Sequence, residues 1–535
     1  MTTLYLNTTN FARETPPASI TADVVIVGSG AGGGITAEIL SRSGLNVLII
    51  EEGPLRTSEH FKMREKDAYP DLYQEVASRQ TVDKSIQILQ GRCVGGSTTV
   101  NWTSSFRTPA ETLNHWQDEF GLKGFSREQL DPWFAWAEQR LNIAPWQVPP
   151  NLNNQKLADG LNKLGWSSQI IRRNVNGCAN LGYCGTGCPI DAKQSMLVSC
   201  IPEALNNGAR LFSRARVEEL IYNKGQVTGV WLTSMDSKGQ VKQKRATKVT
   251  AKHFVLSAGA IGTPALLLRS KLAHQDSMIG KRTFLHPVSA CIGRMSEKIN
   301  AYQGAPQSVY SDEFLWRDGV NGELGYKLES PPLHPAISSI MLRHHGAKHF
   351  DFMQDFAYFH ASLALIRDGF NDQSVGGEVS LDQYDFPQLD YKISQMTWRA
   401  LKDSMLRLAE IQFAAGAKGV LPIHMDAEFY PSWQKAKSAI EALPMLETRW
   451  QVLSAHVMGG CHFGGDNSAS VCDNRGRVKG INNLSVMDGS LFPTSLGVNP
   501  QLSIYGIVAK LATQLGSELG ATPPPELAQL DLMIS

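Results

Sequence analysis

Short apolar runs separated by glycine turns mark the first part of the chain. The β-branched run Asp23–Val27 predicts a buried parallel strand, and it leads directly into the glycine-rich turn Gly28–Gly33. A helix is predicted from about residue 32 to 43, and the next apolar run, Val47–Ile50, ends on Glu51. This order of strand, glycine turn, helix, strand and terminal acid predicts a βαβ unit.

The residues of this unit suit the binding of a dinucleotide. Gly28 allows a tight turn, Gly30 lets backbone N–H groups approach a pyrophosphate, and Gly33 lets the helix pack close to the strand. Glu51 can accept hydrogen bonds from ribose hydroxyls. Because an acid at this position disfavours a 2′-phosphate, the unit predicts FAD or NAD rather than NADP.

Further along the chain the pattern changes twice. Between about residues 215 and 260 it is rich in predicted strands, namely Arg216–Ile221, Val227–Leu232 and Lys248–Leu256. A second glycine turn follows, after which Thr263 and Pro264 are predicted to open a helix. From about 300 to 450 the chain holds more aromatic residues and alternating strands, together with a long helix at about 397–415. A second, sheet-based domain is therefore expected there.

Composition and charge exclude several classes of protein. The chain has 535 residues, of which 42% are hydrophobic and 19% charged, and its net charge of +1 gives no sign of a nucleic-acid partner. No apolar run reaches the roughly 18–20 residues of a membrane span. The first residues lack the basic and apolar regions of a secretion signal, and eight cysteines are too few for a disulfide scaffold. A cytoplasmic location is therefore expected.

Three further segments resemble those of a known family. Residues 91–101 form a glycine–serine loop that ends in Asn101, and residues 259–270 form the second segment. The third segment begins at His456 and continues through residues 483–493 to Asn499. Together with the βαβ unit, these segments resemble the glucose–methanol–choline (GMC) oxidoreductases, which are FAD enzymes.

The resemblance implies a fold and its division into domains. We expect an α/β fold with a Rossmann-like FAD-binding domain, discontinuous in sequence, and a β-sheet-based substrate domain. The FAD-binding domain is assigned to residues 1–145, 190–296 and 450–535, and the substrate domain to residues 146–189 and 297–449. The active site is expected where the two domains meet.

The resemblance also implies how FAD is held. No histidine lies in residues 90–96, so a non-covalent FAD is expected. Small residues of the 91–101 loop would let backbone N–H groups approach the flavin and phosphates, and the backbone of Val217 would meet the adenine. The implied FAD-binding residues are Gly28, Gly30, Gly33, Glu51, Gly95, Gly96, Ser97, Asn101, Val217, Asp488, Gly489 and Pro500.

His456 and Asn499 match the two catalytic positions of the family. Alcohol oxidation requires a base that takes the hydroxyl proton while a hydride moves to flavin N5, and imidazole suits that role. The neutral amide of Asn499 can donate a hydrogen bond to the substrate oxygen. The expected reaction converts a primary, medium- or long-chain apolar alcohol to the aldehyde. The reduced flavin would then be reoxidised by O2, a quinone or a redox protein.

A group of cysteines admits two interpretations. Cys178, Cys184 and Cys188 are closely spaced and flanked by glycine, as in proteins that hold iron–sulfur clusters. The segment is similar to that of some FAD sugar dehydrogenases of the family, which ligate an iron–sulfur cluster. Its residue pattern is closer to that of the long-chain alcohol oxidase branch, so a loop of free or paired thiols is favoured. Two alternatives stay open: a sugar or polyol dehydrogenase that passes electrons through such a cluster, and a hydroxynitrile lyase that binds FAD without using its redox chemistry.

An aromatic stripe also has two interpretations. Phe352, Phe356, Phe359 and Leu363 recur at helical spacing. They predict either a helix that faces the core, or the apolar wall of a substrate channel or of a mouth that touches a membrane. No transmembrane segment is expected, so any membrane contact would be peripheral.

Overall fold

The computed structural model describes residues 7–272, 277–342, 345–465 and 469–534. Two large β-sheets organise this part of the chain. A large cavity lies where the carboxyl edge of the first sheet approaches the second. No helix among these residues is both long enough and apolar enough to cross a membrane.

The first sheet has eight strands and forms the core of the N-terminal half. In spatial order seven of them are Thr8–Asn10, Arg210–Ser213, Val47–Glu51, Ser19–Val27, Val241–Leu256, Gln226–Met235 and Ala215–Asn223, and Leu484–Val486 pairs with the end of Val241–Leu256. The first five strands in this order, from Thr8–Asn10 to Val241–Leu256, run parallel to one another. The last two form an antiparallel hairpin beside Val241–Leu256. The carboxyl ends of the central parallel strands therefore meet at one edge, where open α/β sheets bind ligands.

The second sheet is also eight-stranded and mostly antiparallel. In spatial order seven strands are Ile86–Ile88, Val452–Ser454, Val288–Arg294, Phe359–Ile366, Tyr326–Glu329, Val309–Phe314 and Gln169–Ile170, and Gly419–Pro422 also pairs with Val288–Arg294. The helix Gln395–Ala414 packs on one face and buries Tyr326 and Leu328 together with its own Leu401 and Leu408. The opposite face is turned toward the FAD-binding half of the molecule, because Glu329 contacts the loop at Asn499.

The remaining elements are helices and short ribbons. The α-helices of the described residues are Ala31–Arg42, Glu65–Leu72, Ser97–Val100, Ala110–Phe120, Arg127–Arg140, Leu152–Leu164, Cys200–Asn206, Gly259–Arg269, Pro335–Met341, Gly346–Gln354, Gln395–Ala414, Trp433–Ala442, Gln501–Glu518 and Pro525–Ile534. Three two-stranded ribbons pair Thr283–Phe284 with Met458–Gly459, Glu378–Leu381 with Pro387–Asp390, and Ile143–Pro145 with Arg172–Asn174.

The predicted fold class is confirmed, and the βαβ unit is present as Ser19–Val27, Ala31–Arg42 and Val47–Glu51. One predicted helix start is wrong: the helix after the second glycine turn begins at Gly259, and Pro264 lies inside it. The Asp488 carboxylate accepts the N–H of Gly259 at 2.8 Å, so a contact from far along the chain caps the helix earlier than local signals suggest.

The prediction of a single helix for the aromatic stripe is wrong. The helix Gly346–Gln354 includes Phe352 but ends before Phe356. Phe359–Ile366 is a strand that is paired on both sides within the second sheet. Sheet pairing has overridden the helical spacing. Phe352, Phe356 and Phe359 nonetheless share one buried cluster.

The division into domains stays a prediction. The second sheet takes strands from both sets of predicted segments, since Ile86–Ile88, Val288–Arg294 and Val452–Ser454 fall within the ranges assigned to the FAD-binding domain. These three strands tie the two halves together and carry residues that face the site.

Candidate active site

A cavity of about 870 Å³ follows the carboxyl edge of the first sheet and reaches the second sheet. Twelve of the residues expected at the site line it: Gly28, Gly30, Glu51, Gly96, Ser97, Asn101, Val217, His456, Asp488, Gly489, Asn499 and Pro500. Gly33 and Gly95 lie behind its wall. Residues that are hundreds of positions apart in sequence thus line a single cavity.

The glycine turn after the first βαβ strand is shaped by close backbone contacts. Gly28 has φ +101, and a Cβ there would stand 2.2 Å from the carbonyl oxygen of Ser257. A Cβ on Gly33 would stand 2.0 Å from the carbonyl oxygen of Gly28. Gly33 therefore permits the close packing of helix on turn, while Gly30 lies in open space, its added Cβ meeting only Gly96 Cα at 3.8 Å.

Glu51 holds this turn through a network of hydrogen bonds. Its Oε2 accepts from the Ser29 N–H at 3.1 Å and from Ser29 Oγ at 2.6 Å, and its Oε1 accepts from the Gly53 N–H at 2.8 Å. Ser29 Oγ in turn accepts the N–H of Gly95 at 3.0 Å. The N–H of Gly95 is thus used inside the protein, and a role of Gly95 in binding the cofactor stays a prediction. Burial raises the pKa of Glu51, and the Ser29 and Gly53 hydrogen bonds oppose that effect.

The cavity fits a bound dinucleotide. The helix Ala31–Arg42 begins at Gly30 without a side-chain cap, so its first N–H groups and its dipole are available to a pyrophosphate. Among the described residues, four buried polar atoms of residues that line the cavity have no hydrogen-bond partner: Arg92 Nε, Trp102 Nε1, Ser104 Oγ and Asn499 Oδ1. A second helix, Gln501–Glu518, begins at Pro500 on the opposite wall and adds partial positive charge there.

Asp488 connects the two glycine turns. Its carboxylate accepts from the Gly259 N–H at 2.8 Å, from Thr263 Oγ1 at 2.7 Å and from the Ser490 N–H at 2.8 Å. These bonds fix the loop after the strand Leu484–Val486 against the helix Gly259–Arg269. Sequence reasoning found Asp488 but missed Thr263, whose role depends on a contact 225 residues away.

His456 lies at the far end of the cavity, two residues after the strand Val452–Ser454. Burial lowers the pKa of its imidazole to about 4. The ring is therefore neutral at neutral pH and can accept a proton. Its Nδ1 is 3.1 Å from Nδ1 of His286, a residue that the sequence analysis did not identify.

Asn499 faces the same end of the cavity and contacts a buried acid. Its Nδ2 donates to Glu329 Oε2 at 3.4 Å, which leaves the second N–H of the amide for a ligand. Gln307 Nε2 donates to the same carboxylate oxygen at 2.5 Å. Burial raises the pKa of Glu329 to about 7, while the nearby ammonium of Lys327 acts in the opposite direction. No local motif marks Glu329 or Gln307, because their role follows from the pairing of the second sheet.

The sheet face around Glu329 is apolar. Val288, Leu363 and Leu365 form a small buried cluster there, with Leu453 packed against it. In the register of the sheet Glu329 stands opposite Leu363. Lys327 stands opposite Leu365 on the same face, so the apolar cluster adjoins the buried Lys327 and Glu329, and its residues do not themselves line the cavity.

The cysteine segment forms a packed loop. All three thiols are free, and among the described residues no group of three or more His, Cys, Asp or Glu side chains is placed to hold a metal ion. Lys193 Nζ donates to the carbonyls of Thr99, Asn101 and Cys184 at 2.6, 2.9 and 2.8 Å, which ties this loop to residues 97–101. The iron–sulfur hypothesis is therefore not supported.

Comparison with known proteins gives consistent matches. Models of the GMC oxidoreductases match residues 69–288 and 372–507. An uncharacterised GMC-type oxidoreductase of Mycobacterium tuberculosis is 32% identical, with coverage of 93% of this chain and 76% of that protein. An uncharacterised GMC-type oxidoreductase of Sinorhizobium fredii is 29% identical over 92% of this chain and 94% of its own length, and a long-chain-alcohol oxidase of Arabidopsis thaliana is 28% identical over 94% and 69%.

Solved structures share the fold. A pyridoxine 4-oxidase of Mesorbium loti has a TM-score of 0.68 at 17% identity and covers 92% of this chain and 98% of its own. A formate oxidase of Aspergillus oryzae, studied for the modification of its FAD, has a TM-score of 0.69 at 15% identity, with coverage of 94% and 100%. Since the family models cover most of the chain and its relatives match it along nearly its whole length, this protein belongs to the GMC oxidoreductases, a family of FAD-dependent enzymes.

Proposed function

We propose that the protein oxidises a primary, medium- or long-chain apolar alcohol to the aldehyde. The observation that carries this proposal is the neutral His456 imidazole, which lines the same cavity as Asn499. FAD would be held by the glycine turn at Gly28–Gly30, by the loop at Gly96–Asn101 and by the segment at Asp488. When bound, it supplies the acceptor for the α-hydride of the alcohol.

The residues of the chain supply the proton chemistry. His456 takes the hydroxyl proton of the alcohol, for which its lowered pKa keeps the ring unprotonated in the resting enzyme. The free N–H of Asn499 donates to the alcohol oxygen and orients it without competing for that proton. The Glu329 carboxylate, where ionised, accepts from the Asn499 amide and so holds it in place.

The apolar face of the second sheet supports the substrate class. Val288, Leu363 and Leu365 are already buried, so the gain would come from the alkyl chain itself: each methylene that left water to reach this face would contribute about 0.8 kcal/mol. A sugar would place hydroxyl groups against the same hydrocarbon without partners. The Arabidopsis relatives named long-chain-alcohol oxidases agree with this direction.

An anaerobic spectrum of the purified holoprotein tests the proposal. Primary alcohols of increasing chain length should bleach the flavin absorbance, with an apparent affinity that rises along the series, whereas glucose should leave it unchanged. Admission of air then shows whether O2 reoxidises the flavin or another acceptor is required. His456→Ala should retain its FAD, but its rate of flavin bleaching should fall by a factor of about 10²–10⁴, the usual contribution of a positioned base.

Two outcomes would favour other functions. Bleaching by sugars or polyols in preference to alcohols would refute the apolar substrate class. A flavin that no alcohol or sugar bleaches, in a protein that instead cleaves cyanohydrins, would identify a hydroxynitrile lyase.

A further inference from the structure

A second histidine lies directly behind His456. His286 is fully buried, its Nδ1 is 3.1 Å from Nδ1 of His456, and the two ring centroids are 5.3 Å apart. A contact between two Nδ1 atoms at this distance is a hydrogen bond only when one nitrogen carries a proton and the other a lone pair. The pair therefore links the tautomer of one ring to that of the other.

The backbone holds His286 in this position against a local preference. Its φ of +51 lies in the left-handed region, which costs a residue other than glycine about 1–3 kcal/mol. The two oxygens of Asp368 accept the N–H groups of Leu285 and His286, both at 3.1 Å. Ser454 Oγ donates to the Leu285 carbonyl at 2.5 Å and accepts the N–H of His456 at 3.3 Å. Such strain persists where the surroundings over-determine it, and here they fix both rings relative to each other.

Both rings are neutral under ordinary conditions. Burial lowers the pKa of His286 well below its ordinary value, and the neighbouring His456 and Lys327 act in the same direction. Among the described residues the Nε2 of His286 has no hydrogen-bond partner, so its only polar contact in that part of the chain is the one with His456. The His286 ring is therefore placed to interact with His456 alone among the polar groups of the described residues.

From this geometry we infer that His286 is a positioning residue that accepts the Nδ1–H of His456 and so keeps the lone pair of His456 on Nε2. Nε2 is the nitrogen left for the alcohol, whose O–H bond breaks as the Nε2–H bond forms. The Nδ1–H···Nδ1 bond then becomes charge-assisted and stabilises the imidazolium. The opposite tautomer would already carry a proton on Nε2 and could not accept one. The inference rests on the proposed function.

Two substitutions separate the acceptor from the shape of the backbone. In His286→Asn the side chain tolerates the left-handed conformation and offers Oδ1 as an acceptor near the place of Nδ1. In His286→Gly the conformation is also tolerated, but no acceptor remains. The rate constant of flavin reduction by a long-chain alcohol should fall at least about 100-fold in His286→Gly, within the limit of about 10⁴-fold known for loss of the group that fixes a catalytic tautomer. His286→Asn should stay within about tenfold of the wild type.

A control and a second readout complete the test. His360 is also fully buried but bonds Gln412 outside the site, so His360→Asn should lower the melting temperature without changing the reduction rate. In ¹⁵N spectra of histidine-labelled holoprotein, one ring protonated at Nδ1 should disappear both in His456→Gln and in His286→Gly. A wild-type His456 protonated at Nε2, equal reduction rates in the wild type and His286→Gly, or a His286→Asn as slow as His286→Gly would each overturn the inference. If no alcohol reduces the wild-type flavin, the proposed function fails, while the nitrogen spectra still decide the tautomer.

Discussion

The contact between the two glycine loops gives the most direct test of the cofactor site. Gly96 has φ +54 and ψ −144, a conformation that residues with a side chain rarely adopt. A Cβ at this position would stand 2.7 Å from Gly30 Cα, so Gly96→Ala would push the loop at residues 91–101 away from the turn that receives the pyrophosphate. We expect this substitution to weaken FAD binding.

The magnitude follows from two contributions. The unfavourable φ and ψ cost about 1–3 kcal/mol, and a clash with backbone that cannot rotate away adds about 1–3 kcal/mol. Gly44 supplies a matched control in the same βαβ unit, because it also has a positive φ, of +87, but an added Cβ would meet nothing within 4 Å. Gly44→Ala therefore carries only the conformational contribution, and it lies away from the cavity.

The assay compares the FAD content and the FAD dissociation constant of the two variants, the latter from flavin fluorescence released on dilution. The clash alone should raise the dissociation constant of Gly96→Ala about 10- to 100-fold above that of Gly44→Ala, since 1.4 kcal/mol corresponds to a factor of ten. Equal dissociation constants in the two variants would refute the reasoning, because they would show that the contact with Gly30 does not limit the site.

Three further predictions concern charged side chains. Glu51→Gln should lower FAD affinity about 10- to 100-fold, because either the Ser29 or the Gly53 N–H then faces an amide N–H instead of a carboxylate oxygen. An unchanged FAD content on purification would contradict this. The kcat/KM for alcohol should rise as pH increases through about 7, where Glu329 ionises and binds the Asn499 amide more strongly, and the rise should vanish in Glu329→Gln. Lys193→Met should lower the unfolding free energy by about 2–4 kcal/mol in thermal melts, whereas exposed Lys252→Met should change it little.

Local signals in the sequence were sufficient for the nucleotide-binding unit. The strand, glycine turn, helix and acid of residues 19–51 lie within a short stretch, and each depends on its neighbours in the chain for its conformation. The motifs around His456 and Asn499 are likewise recognisable in the sequence alone, through their resemblance to those of the GMC oxidoreductases. The cysteine segment and the aromatic stripe show the limit of such signals, because spacing alone suggested a metal-cluster site and a single helix, and the described residues form neither.

The sequence by itself therefore determined the fold class, the family and twelve of the residues that line the cavity. Only the tertiary structure decided which groups act behind them: His286 lies 170 residues from His456, and Glu329 lies 170 residues from Asn499. The first contact depends on the register of the second sheet, which pairs Val288 with Leu453 and so brings His286, just before Val288, close to His456, just after Leu453. The second joins a strand of that sheet to the loop before the helix Gln501–Glu518. Register is set by the packing of whole strands against both halves of the molecule, and no short stretch of sequence carries that information.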